Sequence, residues 1–118
     1  MREKDWRLNG QEAYLQNKTL YKIVFPDFWQ KSYAEQNDFY NIIAQDAKNY
    51  LENFPDRESY VQGEKIQLFW HEHCDFCWEK ALTNKECVFY CTTDFKHWIC
   101  EQCFNDFNLQ FRWKVKEI

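Results

Sequence analysis

Two stretches of the sequence decide the fold: His-Glu-His-Cys-Asp-Phe-Cys-Trp at residues 71–78 and His-Trp-Ile-Cys-Glu-Gln-Cys-Phe at residues 97–104. Each contains one Cys-x-x-Cys pair, and 22 residues lie between the two pairs. A tetrahedral structural zinc needs four ligands, and paired cysteines at about this spacing are typical of zinc sites. We therefore predict one structural Zn²⁺ with these four ligands: Cys74, Cys77, Cys100 and Cys103.

The residues around the second pair predict its secondary structure. Phe104, Phe107 and Phe111 follow at the spacing of one helix face, so we expect a helix that carries Cys103 in its first turn. The free N–H groups and the positive dipole end of such a helix favour thiolates. Upstream, residues 88–90 and 97–99 are rich in β-forming residues and predict a hairpin.

This order of knuckle, hairpin and helix resembles the treble-clef class of zinc folds. A zinc ribbon would instead place the second pair on a hairpin turn, and the phenylalanine stripe favours the treble clef. Neither pair is followed by the usual glycine, because Trp78 and Phe104 occupy those positions. The predicted fold class is α+β: a small treble-clef-like zinc module packed with an N-terminal strand and a long amphipathic helix.

The first half of the chain supplies that strand and helix. Residues 19–25 are β-rich and predict a strand. Apolar residues from Phe28 to Phe54 recur mostly in steps of three, four and seven, which predicts one long amphipathic helix. Residues 36–38 are its weakest part, and a break there is the alternative. Trp6 and Tyr14 are predicted to be core aromatics.

Length and spacing set the predicted domain organisation. At 118 residues the chain is expected to form a single domain, 1–118, with an N-terminal lobe of residues 1–70 and a zinc-binding lobe of residues 71–118. Between the lobes, Ile66, Leu68 and Trp70 alternate as in a strand that leads to the first cysteine pair.

Charge and targeting signals exclude some classes of function. The net charge is -4, and the basic residues form no cluster, which argues against nucleic-acid binding. No apolar run approaches a membrane span, and the first residues carry no signal peptide. We therefore expect a cytoplasmic protein with reduced cysteines. Two disulfides in an exported protein are the alternative interpretation of the cysteine pairs.

Other metal-ligating side chains remain beside the predicted site. Cys87 and Cys91 could form a second metal site with nearby histidines, or could be reduced and half-buried thiols. His73 could also replace a cysteine in the first site, because it adjoins Cys74. The sequence leaves open whether any of these binds a second metal: Cys87, Cys91, His71, His73 and His97.

Two blocks of sequence carry a resemblance to a known family. The first block is Asp-Trp-Arg-Leu-Asn-Gly-Gln-Glu at residues 5–12 with residues 14–15 and 19–20, and the second combines residues 70–78 with residues 92–94, 97–104 and 106–107. Together they resemble a family of small uncharacterised bacterial proteins with two Cys-x-x-Cys pairs. The resemblance implies a cytoplasmic zinc-binding protein that uses the four paired cysteines as ligands, and it implies no particular activity.

An enzymatic function has little support in the sequence. A tetrathiolate zinc has a closed coordination shell and is a poor Lewis acid. There is no glycine-rich phosphate loop, and Ser32 and Ser59 are the only serines. The residues that an enzyme could use for proton transfer form one cluster: His71, Glu72 and His73.

The sequence therefore predicts a non-enzymatic, zinc-stabilised protein without catalytic residues or an organic cofactor. Its six tryptophans and seven tyrosines favour a protein–protein interaction module, such as an adaptor, an inhibitor or an immunity-type protein. A protein partner is expected, nucleic acid and membrane are not, and a homodimer is a further possibility. The alternatives are a nucleic-acid-binding zinc-finger regulator and a small enzyme that uses the His71/Glu72/His73 cluster.

Overall fold

The computed structural model describes residues 6–56, 71–82 and 85–117, which form a mixed α+β structure. None of the described helices is long and apolar enough to cross a lipid bilayer. In chain order the helices and strands are α1 (Glu12–Leu15), β1 (Thr19–Phe25), α2 (Asp27–Glu35), α3 (Asp38–Asn53), β2 (His71–His73), β3 (Lys80–Leu82), β4 (Cys87–Thr92), β5 (Trp98–Cys100), α4 (Glu101–Phe111) and β6 (Lys114–Lys116).

The chain divides into two compact units. Of the described residues, the first unit contains 6–23, 72–81 and 88–117, and the second contains the rest. The predicted strand at residues 65–70 lies outside the described residues. The predicted single domain with lobes that meet at residue 70 stays a prediction.

Four strands form a sheet with the order β5-β4-β1-β6. Strand β1 runs parallel to β6, with Thr19 opposite Lys114, and β4 pairs with β5 in antiparallel orientation. Leu20 and Ile23 of β1 are fully buried, as expected for β-forming residues on an inner sheet position. The predicted strands at 19–25, 88–90 and 97–99 therefore correspond to β1, β4 and β5.

Aromatic rings from α4 and the loops around it form the core of the first unit. Phe76 packs against Phe107 at 5.0 Å, Phe111 at 5.5 Å and Trp113 at 5.9 Å between ring centroids. The indole Nε1–H of Trp113 donates a hydrogen bond of 2.7 Å to the backbone oxygen of Leu15. The phenylalanine stripe therefore faces the core, as the helical spacing predicted.

The prediction of one long helix from Phe28 to Phe54 is wrong, because two helices, α2 and α3, occupy that segment. Gln36 adopts a left-handed conformation with φ 50°, which ends α2. The Asn37 side chain accepts a hydrogen bond from the Tyr40 N–H and so caps α3. Polar residues that satisfy free backbone groups favour a new helix start over continuation of the old helix.

The two helices share an aromatic core within the second unit. Phe39 of α3 packs on Phe28 and Trp29 of α2, at 5.0 Å and 6.1 Å, and on Phe25 at 6.2 Å. Ser32 is fully buried, and its hydroxyl donates to the Phe28 backbone oxygen at 2.7 Å. The apolar stripe predicted for this segment is therefore a helix–helix core.

The prediction that Trp6 and Tyr14 belong to the core is also wrong. Trp6 is 74% exposed and Tyr14 is 43% exposed. Both residues lie in the first unit, where the buried positions are filled by other aromatics, such as Phe76 and Trp98. The surface of this unit thus carries large apolar side chains.

The buried indole of Trp113 generates a stability prediction. Trp113→Phe keeps an aromatic ring at this position but removes part of the buried indole and leaves the Leu15 carbonyl without its donor, so we expect a loss of about 1–3 kcal/mol in the free energy of unfolding. Denaturant titration followed by circular dichroism measures this loss. The matched control is Trp6→Phe at an exposed position, with an expected change within about 0.5 kcal/mol. Equal effects of the two substitutions would contradict the role of the Trp113 hydrogen bond.

Candidate metal centre

Four cysteines meet in the first unit, and their sulfur atoms all lie within 4.8 Å of one another. They come from separate elements: Cys74 and Cys77 from the β2–β3 connection, Cys100 from the last position of β5 and Cys103 from the first turn of α4. Cys77 is half-buried and the other three are buried. The cysteines predicted from the two pairs are therefore brought together.

Backbone hydrogen bonds hold the sulfurs in place. The Phe76 N–H donates to Cys74 Sγ at 3.4 Å, and the Cys103 N–H donates to Cys100 Sγ at the same distance. Cys100 is the N-cap residue of α4, so its sulfur occupies the place of a capping oxygen. The positive end of the helix dipole therefore points at the sulfur cluster.

The pKa values of the cysteines indicate how readily each thiol in the cluster loses its proton. Hydrogen bonding, first from the Cys100 thiol, lowers the pKa of Cys74 to about 5. The same contact raises the pKa of Cys100, and burial with the charge on Cys74 raises the pKa of Cys103 to about 12. The cluster accepts one thiolate readily, and further thiolates need a cation to compensate their charge.

The distances between sulfurs fit a tetrahedral metal ion. A metal–sulfur bond of about 2.3 Å implies sulfur–sulfur distances of about 3.8 Å around a tetrahedron. The Cys77 and Cys100 sulfurs are 3.5 Å apart, and no pair of the four exceeds 4.8 Å. Small movements of the side chains therefore suffice for all four to bind one ion.

A guanidinium group lies against this cluster. The Arg7 Nη1 donates to Cys103 Sγ at 3.6 Å and to Asp106 Oδ2 at 2.8 Å. The guanidinium carbon also lies 4.5 Å from the centroid of the Phe107 ring, a cation–π geometry. The Arg7 side chain is only 17% exposed. Arg7 thus places a fixed positive charge beside a ligand sulfur.

A cleft of 470 Å³ opens next to the first cysteine pair, within the first unit. One wall comes from the irregular segment 6–11, which we call the N-terminal arm, and the opposite wall from residues 72–78. Gln11 of the arm is 3% exposed, and its Nε2 donates to the Asp75 backbone oxygen at 2.9 Å. This buried hydrogen bond ties the two walls together.

Polar and aromatic groups line the cleft together. His97 Nδ1 lies 2.7 Å from Asp75 Oδ2, and the centroid of the His97 ring lies 4.8 Å from that of the Tyr14 ring, with the planes tilted by 36°. Burial raises the pKa of Asp75, and the hydrogen bond with His97 opposes that shift. Glu72 and His73 of the predicted proton-transfer cluster also line the cleft, whereas the side chain of His71 lies outside the described part of the chain.

Trp78 has an unusual backbone conformation at the rim of the cleft. Its φ is 67°, in the left-handed region, and its N–H donates to the Cys74 backbone oxygen at 3.0 Å. A side chain costs about 1–2 kcal/mol in this conformation, which glycine adopts freely. The indole is 71% exposed, so burial in the core does not compensate this cost.

Cys87 and Cys91 do not belong to the metal centre. Within residues 6–56, 71–82 and 85–117, the four paired cysteines are the one group of three or more His, Cys, Asp or Glu side chains close enough to share an ion. Cys91 is fully buried and Cys87 is half-buried, with its sulfur 3.8 Å from the Leu82 backbone oxygen. A second metal at these cysteines therefore has no support among the described residues.

Arg7 and Gln11 were missed as site residues by the sequence analysis. Arg7 is 96 residues away from Cys103, and Gln11 is 64 residues away from Asp75. Neither contact follows from a local spacing, and only the block at residues 5–12 of the family resemblance marked this segment.

No protein-family model, curated protein or solved structure matches the chain. The resemblance to a family of small bacterial proteins therefore stays a prediction. The geometry of the cysteine cluster and of the cleft is the basis on which a function can be assigned.

The burial of the two remaining cysteines predicts their reactivity. We expect iodoacetamide to modify Cys87 at least about tenfold faster than Cys91 in the folded protein, because burial both shields Cys91 and raises its pKa. Peptide mass spectrometry resolves the two sites. In denaturant the two rates should converge, and rapid modification of Cys91 in the folded protein would contradict its placement in the core.

Proposed function

We propose that the metal is Zn²⁺ and that its role is structural. Four thiolates are soft ligands that suit zinc, and four protein ligands leave no position for a reacting water. Three of the four sulfurs belong to buried residues, which limits access of solvent to the ion. The ion would join the β2–β3 connection to β5 and α4, and so stabilise the first unit.

We further propose that this part of the chain is a treble-clef-like module. Cys74 and Cys77 lie between two short paired strands, β4 and β5 form an antiparallel pair, and α4 carries Cys103 in its first turn. That order of elements is the support for the assignment. The departure from the usual pattern is Trp78, which takes the left-handed conformation expected of glycine.

Measurement of the bound metal tests the zinc proposal. Native mass spectrometry of protein purified without chelator should show one zinc per chain, and Cys100→Ser should lose it. Cys87→Ser is the matched control, because it changes a cysteine outside the cluster, and it should keep one zinc. A wild-type protein without metal, or full zinc retention in the Cys100→Ser variant, would overturn the proposal.

For the protein as a whole we propose a non-enzymatic module that binds a protein partner at the cleft. The observation that carries this proposal is Trp78, an exposed indole held in a conformation that costs about 1–2 kcal/mol. Strain of this kind clusters at functional sites. Trp6 on the N-terminal arm also lines the cleft and is 74% exposed. Exposed tryptophans are frequent anchors of protein interfaces.

The other functional hypotheses stay predictions. The nucleic-acid alternative requires a basic face, whereas the cleft is lined by two carboxylates, Glu72 and Asp75, as well as by the cations of Arg7 and Lys96. The enzyme alternative uses the His71/Glu72/His73 cluster, of which Glu72 and His73 line the cleft beside the His97–Asp75 pair. The expected homodimer also stays a prediction.

The Trp78→Gly substitution tests whether Trp78 contributes to the stability of the fold rather than to binding of a partner. Glycine relieves the left-handed strain, so we expect the free energy of unfolding to stay the same or to rise by up to about 1 kcal/mol. Chemical denaturation of both proteins measures this difference. A loss of several kcal/mol would show that the indole is a structural element and would contradict its assignment to an interface.

The same substitution tests the partner proposal. Immobilised wild-type protein should retain a specific protein from a cell extract of its source, and the Trp78→Gly variant should lose it while zinc content is unchanged. Phe54→Gly is the control for loss of an exposed aromatic in the second unit, because Phe54 is 50% exposed. Recovery of the same protein with and without Trp78, or of none with the wild type, counts against the proposal.

A further inference from the structure

The N-terminal arm contacts the sulfur cluster through one side chain. Arg7 Nη1 donates to the sulfur of Cys103, and the arm residues 6–11 contain neither helix nor strand. The second attachment of the arm is the hydrogen bond from Gln11 to the backbone of Asp75, which directly follows Cys74. These two hydrogen bonds end at a predicted metal ligand and at the neighbour of another, and Arg7 is also held by Asp106 and Phe107 of α4.

Metal binding changes the net charge of the sulfur cluster that Arg7 contacts. Metal-bound cysteines are thiolates, so four of them with one Zn²⁺ leave two net negative charges at the centre. Arg7 is charged with or without the metal, so its hydrogen bond to Cys103 is already charge-assisted, and metal binding adds the Coulomb attraction between the guanidinium and a net negative centre. The side chain is 17% exposed, which limits screening of this interaction by solvent. The arm is therefore held more tightly to the metal-loaded centre.

We propose that zinc occupancy and docking of the N-terminal arm are linked through Arg7, so that zinc binding completes the cleft. Two observations on Arg7 support this linkage. Arg7 donates a hydrogen bond to the sulfur of the predicted ligand Cys103, and it also lines the cleft. Such coupling is reciprocal: a partner that binds the docked arm slows zinc loss, and zinc loss weakens the partner site. This inference rests on the proposed zinc centre and adds regulation of the binding cleft.

The contacts that hold Arg7 make it a positioning residue for the metal. Asp106 accepts from the same Nη1, and the Phe107 ring lies under the guanidinium. Both residues belong to α4, the helix that presents Cys103. These contacts orient the guanidinium toward the Cys103 sulfur, and a planar guanidinium loses less entropy per hydrogen bond than a flexible ammonium group.

Zinc competition with a chromophoric chelator tests the effect of Arg7 on the metal. Arg7→Gln should lower zinc affinity by about 10–100-fold, and Arg7→Lys should recover part of the loss because it keeps the charge. The matched control is Arg112→Gln, since the exposed Arg112 lies nine residues beyond Cys103, about 14 Å along the helix axis. Its affinity should stay within about twofold of wild type.

Hydrogen exchange of the wild-type protein tests the arm directly. Peptides that cover residues 6–11 should exchange more slowly in the zinc-loaded protein, and Arg7→Gln should abolish this protection while α4 remains protected by zinc. Unchanged zinc affinity in Arg7→Gln, or equal exchange of the wild-type arm with and without zinc, overturns the linkage. If the wild-type protein binds no zinc, the zinc proposal itself fails, so the two failures are distinguishable.

Discussion

The first unit depends on the electrostatics of four sulfur atoms held within 4.8 Å of one another. Thiolates this close repel one another, and burial together with the charge on Cys74 raises the pKa of Cys103. A bound cation would compensate the negative charge of the thiolates. It would also cross-link elements that are distant in sequence. A chain of this length buries proportionally little surface, so such a cross-link contributes strongly to its stability.

The sequence predicted those parts of the fold that follow from local spacing. Two Cys-x-x-Cys pairs indicated the sulfur cluster, and the spacing of Phe104, Phe107 and Phe111 indicated α4. The β-rich run at residues 19–25 indicated β1. Each of these signals is a short-range pattern formed by residues that lie close together in the sequence. This spacing alone does not determine which metal ion binds or whether the fold is a treble clef.

Features that depend on single residues or long-range contacts escaped the sequence analysis. The break between α2 and α3 depends on Gln36 and on the cap supplied by Asn37; a break at residues 36–38 is only the alternative in the sequence analysis, because the apolar period favours one helix. The exposure of Trp6 depends on which other aromatics fill the core, and hydrophobicity alone does not show that. The contact between Arg7 and Cys103 joins residues 96 positions apart, beyond the reach of any periodic pattern.

The parallel pairing of β1 with β6 has a consequence for the order of folding. Thr19 lies opposite Lys114, so β1 is flanked on this side by a strand synthesised 95 residues later. Cys100 and Cys103 also emerge late, which means that the ribosome must release the chain as far as β6 before the first unit can close. High contact order of this kind slows folding. During synthesis, the edge of β1 that pairs with β6 therefore stays without this partner until residues 114–116 have emerged.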